Sequence, residues 1–249
     1  MKSGLLSVQY GCPIKLMLNK EKIISIIPAR GGSKRLPEKN IKELCGRPLV
    51  EWSIEAAKQS KYIDSIVVSS DNKNILSIAE KQNVDTVIRP NFLADDKSTT
   101  IDVLLHALEQ IEDTYDYLVL LQPTSPLRSN LDIDNSIEML MRHKANSVVS
   151  VCQAEHSPLW CNTLPEDRSM DGFMSKSLEG RRSQDLKTYF RLNGAIYIVK
   201  ISEFIKEKSL MPNNTYAYVM DQFNSIDIDT LYDFICAEAI MKSRVGNEL

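Results

Sequence analysis

The chain has 249 residues, of which 43% are hydrophobic and 25% are charged, and its formal net charge is −3. This length and composition fit one sizeable soluble core and leave little room for a second full domain. The weak negative charge argues against a protein held to nucleic acid by general electrostatics, and no apolar run approaches the roughly 20 residues of a membrane span. Five scattered cysteines without a CxxC pair argue against a disulfide framework or a zinc site and favour a reducing, cytoplasmic location.

Residues 1–20 differ from the rest of the chain. Their apolar run is too short for a signal peptide and is broken by Ser7 and Gln9. We interpret them as an N-terminal extension without chemistry, with Met17 as an alternative start. Residues 21–249 are then predicted to form one domain.

Apolar and amphipathic runs alternate from residue 23 onward. The apolar runs predict strands at 23–28, 65–69, 85–88, 117–121, 147–151, 194–199 and 216–220. The amphipathic runs predict helices at 48–59, 73–82, 99–112, 132–143 and 230–242. Such alternation predicts an α/β fold, a Rossmann-like, mostly parallel sheet with helices on both faces. Ligands of such sheets bind at the carboxyl ends of the strands.

The first predicted strand leads into a loop rich in glycine and positive charge. Residues 26–40 read IIPARGGSKRLPEKN and contain two adjacent glycines and four cations. Glycine lets backbone N–H groups approach an anion, and Arg and Lys neutralise its charge. The loop matches neither the Walker pattern nor the GxGxxG fingerprint. It nevertheless predicts a polyphosphate site rather than a solvated basic loop, with Arg30, Ser33, Lys34 and Lys39 as phosphate ligands.

Two aspartates alternate with isoleucines near the end of the chain. In Ile226-Asp227-Ile228-Asp229, an extended strand end would put both carboxylates on one face. A pair of carboxylates suits Mg²⁺, which prefers oxygen ligands. The alternative is that Asp229 caps the helix predicted from Thr230. Asp71, after another strand, is a weaker candidate for either the metal or the chemistry.

Residues 155–186 break the alternation. They are polar and irregular, contain several Pro and Gly residues, and are too long for an ordinary loop. We therefore predict an insertion. Its large apolar residues, among them Trp160, Leu164 and Phe173, would leave an exposed patch in a monomer, which is typical of an interface.

Four segments together resemble one known family. They are residues 26–40, 121–128 (LQPTSPLR), 190–197 (FRLNGAIY) and 225–230 (SIDIDT). In this order they resemble the acylneuraminate (CMP-sialic acid) synthetases, which are cytidylyltransferases, and the resemblance runs from about residue 22 to about 242. It implies a fold of the nucleotide-diphospho-sugar transferase type. It also implies that the insertion forms a homodimer and a lid over the sugar.

The resemblance implies that CMP is transferred from CTP to the anomeric hydroxyl of a nonulosonic acid, with release of pyrophosphate and with Mg²⁺ or Mn²⁺. N-acetylneuraminate is the first choice of acceptor, legionaminate or pseudaminate the next, and Kdo the least favoured. Two departures from the sialic-acid pattern, Trp160 and the segment 183–187 (SQDLK), fall in the lid and leave the acceptor open. A nucleotide-binding regulatory module on the same fold is the non-enzyme alternative.

The resemblance also assigns individual residues. Arg30, Lys39, Asp227 and Asp229 would be catalytic, and the two aspartates would hold the metal. Beyond the phosphate loop, CTP would contact Asn40, Arg89 and Thr100, although a threonine at this position is usually a helix cap. The sugar would contact Gln122, Thr124, Ser125, Arg182, Arg191, Asn193 and Tyr197, the last three expected on one strand face.

Overall fold

The structure is a computed structural model that describes residues 21–95 and 98–246. The strands are β1 Ile23–Pro28, β2 Glu43–Leu44, β3 Arg47–Pro48, β4 Ser65–Ser70, β5 Asp85–Ile88, β6 Tyr117–Leu120, β7 Ser147–Gln153, β8 Phe190–Lys200 and β9 Thr215–Met220. The helices are α1 Leu49–Lys58, α2 Lys73–Lys81, α3 Thr100–Glu109, α4 Asn130–His143, α5 Ile201–Glu207 and α6 Leu231–Gly246. The described helices include none that is long and apolar enough to cross a membrane.

Seven strands form one sheet in the order β5-β4-β1-β6-β8-β7-β9. Strand β8 runs antiparallel to β6 and β7, and the other pairs are parallel. The predicted mostly parallel sheet is therefore confirmed. Strands β2 and β3 form a separate antiparallel hairpin before α1.

The core has a layer on each face of the sheet because the central strand β1 alternates its side chains. Ile23 and Ile27 pack with residues of α1, α2 and α4, while Ile24 and Ile26 pack with residues of α3 and α5. All four isoleucines are fully buried. Helices thus cover both faces, as the sequence predicts.

A third apolar cluster joins two distant parts of the chain. Leu36 and Leu44, from the region after β1, pack with Ile228 and with Phe234 of α6. This contact brings the glycine-containing loop next to residues 227–229, although about 190 residues separate them in sequence.

The structure differs from the predicted elements in three places. Residues 225–230 form an irregular loop, so the predicted strand end at the two aspartates is wrong. Helix α5 was not predicted, because its seven residues are too few to show a clear helical period. Strand β8 begins at Phe190 rather than Gly194, because backbone pairing with β7 extends it through polar residues.

The predicted insertion leaves the sheet after β7 and returns at β8. The backbone N–H of Ala154 donates to the carbonyl of Tyr189 at 2.8 Å and closes the base of the insertion. Between these residues the regular structure consists of short 3-10 turns, the first at Pro158–Trp160.

Candidate active site

A cavity of about 290 Å³ lies at the carboxyl ends of the parallel strands. Its walls come from the loop after β1, the end of β5, the start of α3 and the loop after β6. Eight of the predicted site residues line it: Arg30, Ser33, Lys39, Asn40, Arg89, Thr100, Gln122 and Thr124. The cavity therefore brings together most of the predicted nucleotide residues and two of the predicted sugar residues.

The loop after β1 is fixed by a close backbone approach at Gly31. A Cβ atom at Gly31 would lie only 2.8 Å from Cβ of Asn72, so a larger residue would force the loop away. The Gly31 N–H also donates to Oδ1 of Asp71 at 2.9 Å. Asp71, a weaker candidate for chemistry in the sequence, thus anchors the loop.

Arg89 presents a buried cation to the cavity. Only 5% of the residue is exposed, and its Nη2 donates to the Ser69 carbonyl at 2.8 Å. Burial lowers the pKa of Arg89 to about 10; the charge of Asp71 opposes this shift and the charge of Arg30 adds to it. The repulsion between Arg30 and Arg89 means that an anion bound between them would be stabilised by both.

Lys39 and Asn40 lie on the 3-10 turn Lys39–Ile41, and their side chains form hydrogen bonds to two different segments of the chain. Lys39 Nζ donates to the Ile228 carbonyl at 2.6 Å and to Oδ1 of Asp229 at 3.0 Å. Asn40 Nδ2 donates to the Arg30 carbonyl at 2.8 Å. The buried Asn40 Oδ1 has no hydrogen-bond partner among the described residues, so a donor on a ligand could satisfy it.

The two aspartates play different parts. Asp229 accepts from Lys39 through Oδ1 and from Arg35 through Oδ2 at 2.9 Å, so both of its oxygens are bonded to cations. The side chain of Arg35 is 70% exposed, so this cation of the loop forms a surface ion pair. The alternative role of Asp229, a cap of α6, is not observed, because Thr230 and Asp233 bond reciprocally at the start of that helix.

Asp227 is the half-buried carboxylate of the site. Its buried Oδ1 has no hydrogen-bond partner in the described part of the chain, and Thr124 hydrogen-bonds to the carboxyl group. Burial, and then the charge of Asp229, raise the pKa of Asp227 above its ordinary value. An orphaned oxygen of this kind fits a ligand atom or a metal ion that is not part of the protein.

The described residues contain no group of three or more His, Cys, Asp or Glu side chains that could hold a metal alone. Mg²⁺ commonly takes one or two carboxylates and completes its shell with substrate phosphates and water. The unpartnered Oδ1 of Asp227, beside a cavity lined by cations, fits that mode. Asp229 lies close enough to Asp227 for its charge to raise the pKa of Asp227, and Ile226 and Ile228 both pack in the third apolar cluster, as the expected two-carboxylate face requires. Both oxygens of Asp229 are bonded to cations, whereas Asp227 keeps an unpartnered oxygen.

Thr100 is free of the capping role that threonines at helix starts usually have. The cap of α3 is Thr99: its side chain accepts from the Asp102 N–H, and its own backbone N–H donates to the Asp102 carboxylate. Thr100, the first residue of the helix, lines the cavity instead. The sequence could not separate these two adjacent threonines.

Several predicted sugar residues do not reach the cavity. Ser125 and Asn193 are buried in the interior, and the Asn193 amide is bonded to the hydroxyls of Ser150 (2.6 Å) and Ser225 (2.9 Å). Neither side chain lines the cavity, and their contact with a sugar stays a prediction. Arg182 is exposed and lies outside the cavity lining, and so does Lys34, which was predicted as a phosphate ligand.

A register shift in β8 separates Arg191, Asn193 and Tyr197, which were expected on one face of the strand. Tyr197 pairs with Val149 and Leu192 pairs with Val151, with a bulge between them where Gly194 has φ of 72°. Facing residues of an antiparallel pair share a side, so Tyr197 shares its face with Leu192 and not with Arg191 and Asn193. The predicted single face is therefore wrong.

Arg191 is engaged by a carboxylate at the base of the insertion. Its Nη2 and Nε donate to Oε1 and Oε2 of Glu155 at 2.6 and 3.1 Å. This bidentate pair raises the pKa of Arg191 and lowers that of Glu155. The charge of Asp227 also acts on Arg191 and on Tyr197, whose pKa is raised mainly by burial, so both side chains lie near the catalytic end of the cavity.

Sequence reasoning missed a few residues of the site. Leu93, Asp95 and Ser98 line the cavity from the loop after β5, where the only signal was their position past a strand end. Gly194 was also missed. A Cβ atom there would lie 2.7 Å from Oε1 of Gln122 and 3.7 Å from Oδ2 of Asp227, so the glycine allows these side chains their positions.

One family model matches almost the whole length of the sheet. The sequence model of a family described as "Cytidylyltransferase" matches residues 24–226. An N-acylneuraminate cytidylyltransferase of Streptococcus agalactiae is 38% identical over 86% of this chain and 52% of its own length. The chain thus spans about half the length of the curated relatives it matches first.

Two further relatives are matched over nearly their full length. A CMP-N,N'-diacetyllegionaminic acid synthase of Legionella pneumophila is 36% identical over 89% of this chain and 97% of its own. A pseudaminic acid cytidylyltransferase of Campylobacter jejuni is 30% identical over the same shares. Among solved structures, a CMP:2-keto-3-deoxy-manno-octonic acid synthetase complexed with CTP superposes with a TM-score of 0.69. It is 16% identical, covers 90% of this chain and 100% of its own, and is similar in fold.

Proposed function

Because this chain belongs to the cytidylyltransferase family, we propose that it transfers CMP from CTP to the anomeric hydroxyl of a nonulosonic acid and releases pyrophosphate. One observation carries the proposal. The half-buried carboxylate of Asp227, with its unpartnered oxygen, lies beside a cavity whose walls hold Arg30, Lys39 and Arg89.

The nucleotide occupies the cavity with its phosphates against the three cations. Arg30 and Arg89 repel each other, and a phosphate between them removes that repulsion. Lys39 lies on the side of the cavity next to Asp227 and Asp229, so it reaches the reacting end of the triphosphate. The unpartnered Oδ1 of Asn40 accepts a hydrogen bond from a donor on the ribose or the base.

The transfer balances as a single displacement at phosphorus. The anomeric hydroxyl oxygen forms a bond to the α-phosphorus, the bond from that phosphorus to the bridging oxygen breaks, and pyrophosphate leaves. The hydroxyl proton passes to a carboxylate oxygen of Asp227, which lies beside the proposed position of the triphosphate. Thr124, hydrogen-bonded to Asp227, orients it.

Mg²⁺, or Mn²⁺ in its place, would be held by Asp227 and by phosphate oxygens of the nucleotide. When bound it supplies screening of the negative charge on the triphosphate. Asp229 contributes by position: it holds Lys39 at the site and keeps Arg35 at the surface.

N-acetylneuraminate is the first candidate acceptor, because an N-acylneuraminate cytidylyltransferase is the relative matched at 38% identity. N,N'-diacetyllegionaminate is the second, because its synthase is matched over 97% of its length. Trp160, half-buried in the insertion, would give either acceptor an apolar wall and suits a deoxy, methyl-ended tail better.

A homodimer is the assembly that the insertion favours. Leu164 and Met170 there are 57% and 61% exposed, and a partner subunit would cover them. Light scattering at micromolar concentration should give twice the chain mass of 28.2 kDa. A monomeric mass with full activity would contradict this assembly.

The function is tested by pyrophosphate release from CTP with Mg²⁺. Release should require a nonulosonic acid, stop with EDTA and resume with Mg²⁺ or Mn²⁺. Parallel reactions with N-acetylneuraminate, N,N'-diacetyllegionaminate, pseudaminate and Kdo identify the acceptor. CTP binding without pyrophosphate release for any of them would favour the regulatory module.

A further inference from the structure

A second pocket, of about 600 Å³, lies behind the loop after β6. We call it the rear pocket and define it by Arg47, Trp52, Leu127, Arg128, Met241 and Arg244, which line it. The start of that loop, at Gln122 to Thr124, lines the catalytic cavity, and its end lines the rear pocket. None of the residues assigned to CTP or to the acceptor contributes to the rear pocket.

Two arginines at the rear pocket have no acidic partner. The guanidinium of Arg47 lies 5.3 Å from the ring centre of Trp52, and Arg244 Nη2 donates to the uncharged Oδ1 of Asn224 at 2.6 Å. Neither has a carboxylate within ion-pair distance in the described part of the chain. Lys242, which also lines the pocket, differs because Glu238 pairs with it at 3.0 Å.

A third arginine, Arg128, is buried in the wall itself. Its hydrogen bonds go to neutral groups, the carbonyls of Ala195 (2.9 Å) and Gln122 (3.3 Å) and the hydroxyl of Ser53. Its buried Nε has no partner among the described residues. Burial lowers the pKa of Arg128 to about 9, and Asp132 opposes that shift only in part. A buried cation that lacks a paired anion is costly, so a bound anion would be stabilised here.

The rest of the wall is apolar and rigid. Trp52 Nε1 donates to the Leu44 carbonyl at 3.1 Å, which fixes the ring, and Leu127 and Met241 belong to the third apolar cluster. A ligand for this pocket therefore needs an apolar body as well as a negative charge.

We propose that the rear pocket binds a small organic anion: a sulfonate, carboxylate or phosphate attached to a flat apolar ring. The charged group lies between Arg47 and Arg244, and the ring lies against Leu127 and Met241. This proposal does not depend on the reaction catalysed in the other cavity.

The chain offers a built-in reporter for the test. It has two tryptophans, so Trp160→Phe leaves Trp52 as the only one. p-Toluenesulfonate, which does not absorb at the excitation wavelength of 295 nm used for tryptophan, serves as the probe. It should change Trp52 emission in a saturable way, and it should bind at least ~10-fold more tightly than 4-methylbenzyl alcohol, which lacks the charge, or sulfate, which lacks the ring.

Variants locate the binding site. In the Trp160→Phe background, Arg47→Gln and Arg244→Gln should each weaken p-toluenesulfonate by at least ~5-fold, because each removes a charge-assisted contact. Lys242→Gln should change its affinity less than ~2-fold, since Glu238 already neutralises that charge. Lys39→Ala, in the catalytic cavity, should leave it unchanged. Arg47 is exposed and its side chain makes no hydrogen bond to the residues that the structure describes, so Arg47→Gln keeps the test valid if Arg244→Gln does not fold.

Three results would overturn the proposal. They are the absence of a saturable change in Trp52 emission, equal affinity for the probe and both controls, and loss of binding in Lys39→Ala but not in Arg47→Gln. The last would place the probe in the catalytic cavity.

Discussion

The two sides of the catalytic cavity are built differently. On the nucleotide side, 5% of Arg89 and 11% of the Lys39 side chain are exposed. Both side chains donate hydrogen bonds to main-chain carbonyls. On the acceptor side, the side chain of Arg191 is 38% exposed and bonds to Glu155, at the base of an irregular insertion. The nucleotide side is thus fixed by the sheet, while the acceptor side can change without disturbing it. Under the proposed roles, one nucleotide side could serve different acceptors; relatives at 30–38% identity are named for three different sugars.

The largest expected effect is on kcat and comes from Asp227, between the two sides. Asp227→Asn should lower kcat by about 10³-fold, because the amide can neither take the hydroxyl proton nor hold a cation. Circular dichroism should show an unchanged fold, since the two side chains are nearly the same size. Retention of more than about a tenth of the wild-type kcat would mean that chemistry does not depend on this carboxylate.

The next largest effect is on kcat/KM for CTP, and it distinguishes Lys39 from Arg35, two cations that both bond to Asp229. Lys39→Ala should lower kcat/KM for CTP at least ~10²-fold, and Arg35→Ala less than ~5-fold, because only Lys39 lines the cavity. Both variants lose one ion pair to Asp229, but Lys39→Ala also loses the bond to the Ile228 carbonyl, so circular dichroism must show that both variants are folded. Equal losses of activity would mean that Lys39, in the cavity, contributes no more to the use of CTP than Arg35 at the surface.

A smaller effect is expected on the acceptor side. Arg191→Ala should raise KM for the acceptor about 10-fold and leave KM for CTP unchanged, because it removes one charge-assisted contact with the acceptor carboxylate. Glu155→Gln should lower KM for the acceptor, since Glu155 competes for the same guanidinium. A rise in KM for CTP in either variant would show that the two sides are not independent.

The smallest effect is on stability and depends on pH. The pKa of Asp227 is raised in the folded protein, so its contribution to stability is fully present below 3.8 and is lost as pH rises through the raised value. Asp227→Asn should therefore have a higher Tm than the wild type at pH 7, and the difference should shrink toward pH 4. Calorimetry between pH 4 and 8 measures this. Asp229→Asn is the control: it loses two ion pairs and should not raise Tm at any pH.

The nucleotide side could be predicted from sequence because its signals are local. Residues 23–40 hold a buried strand, two glycines and spaced cations, and Arg30, Ser33 and Lys39, which these signals predicted, line the cavity. Asn40, Arg89 and Thr100 also line it, but they were assigned from the family resemblance. The acceptor side could not be predicted as well. Its face depends on a bulge at Gly194 that reverses the alternation before Tyr197, and strand periodicity does not reveal a bulge. The burial of Asn193 depends on Ser150 and Ser225, which are distant in sequence.

The bond between Lys39 and Asp229 also has a consequence for the order of events during synthesis. Its two residues are 190 positions apart, and the cluster of Leu36, Leu44, Ile228 and Phe234 beneath it spans a similar separation. Contacts of such long range form late, because the intervening chain must be ordered first. A nascent chain therefore carries the basic loop long before it can hold Lys39 in place. Binding of nucleotide should appear only after residue 229 has left the ribosome, which makes ligand affinity a reporter of completed folding rather than of the loop alone.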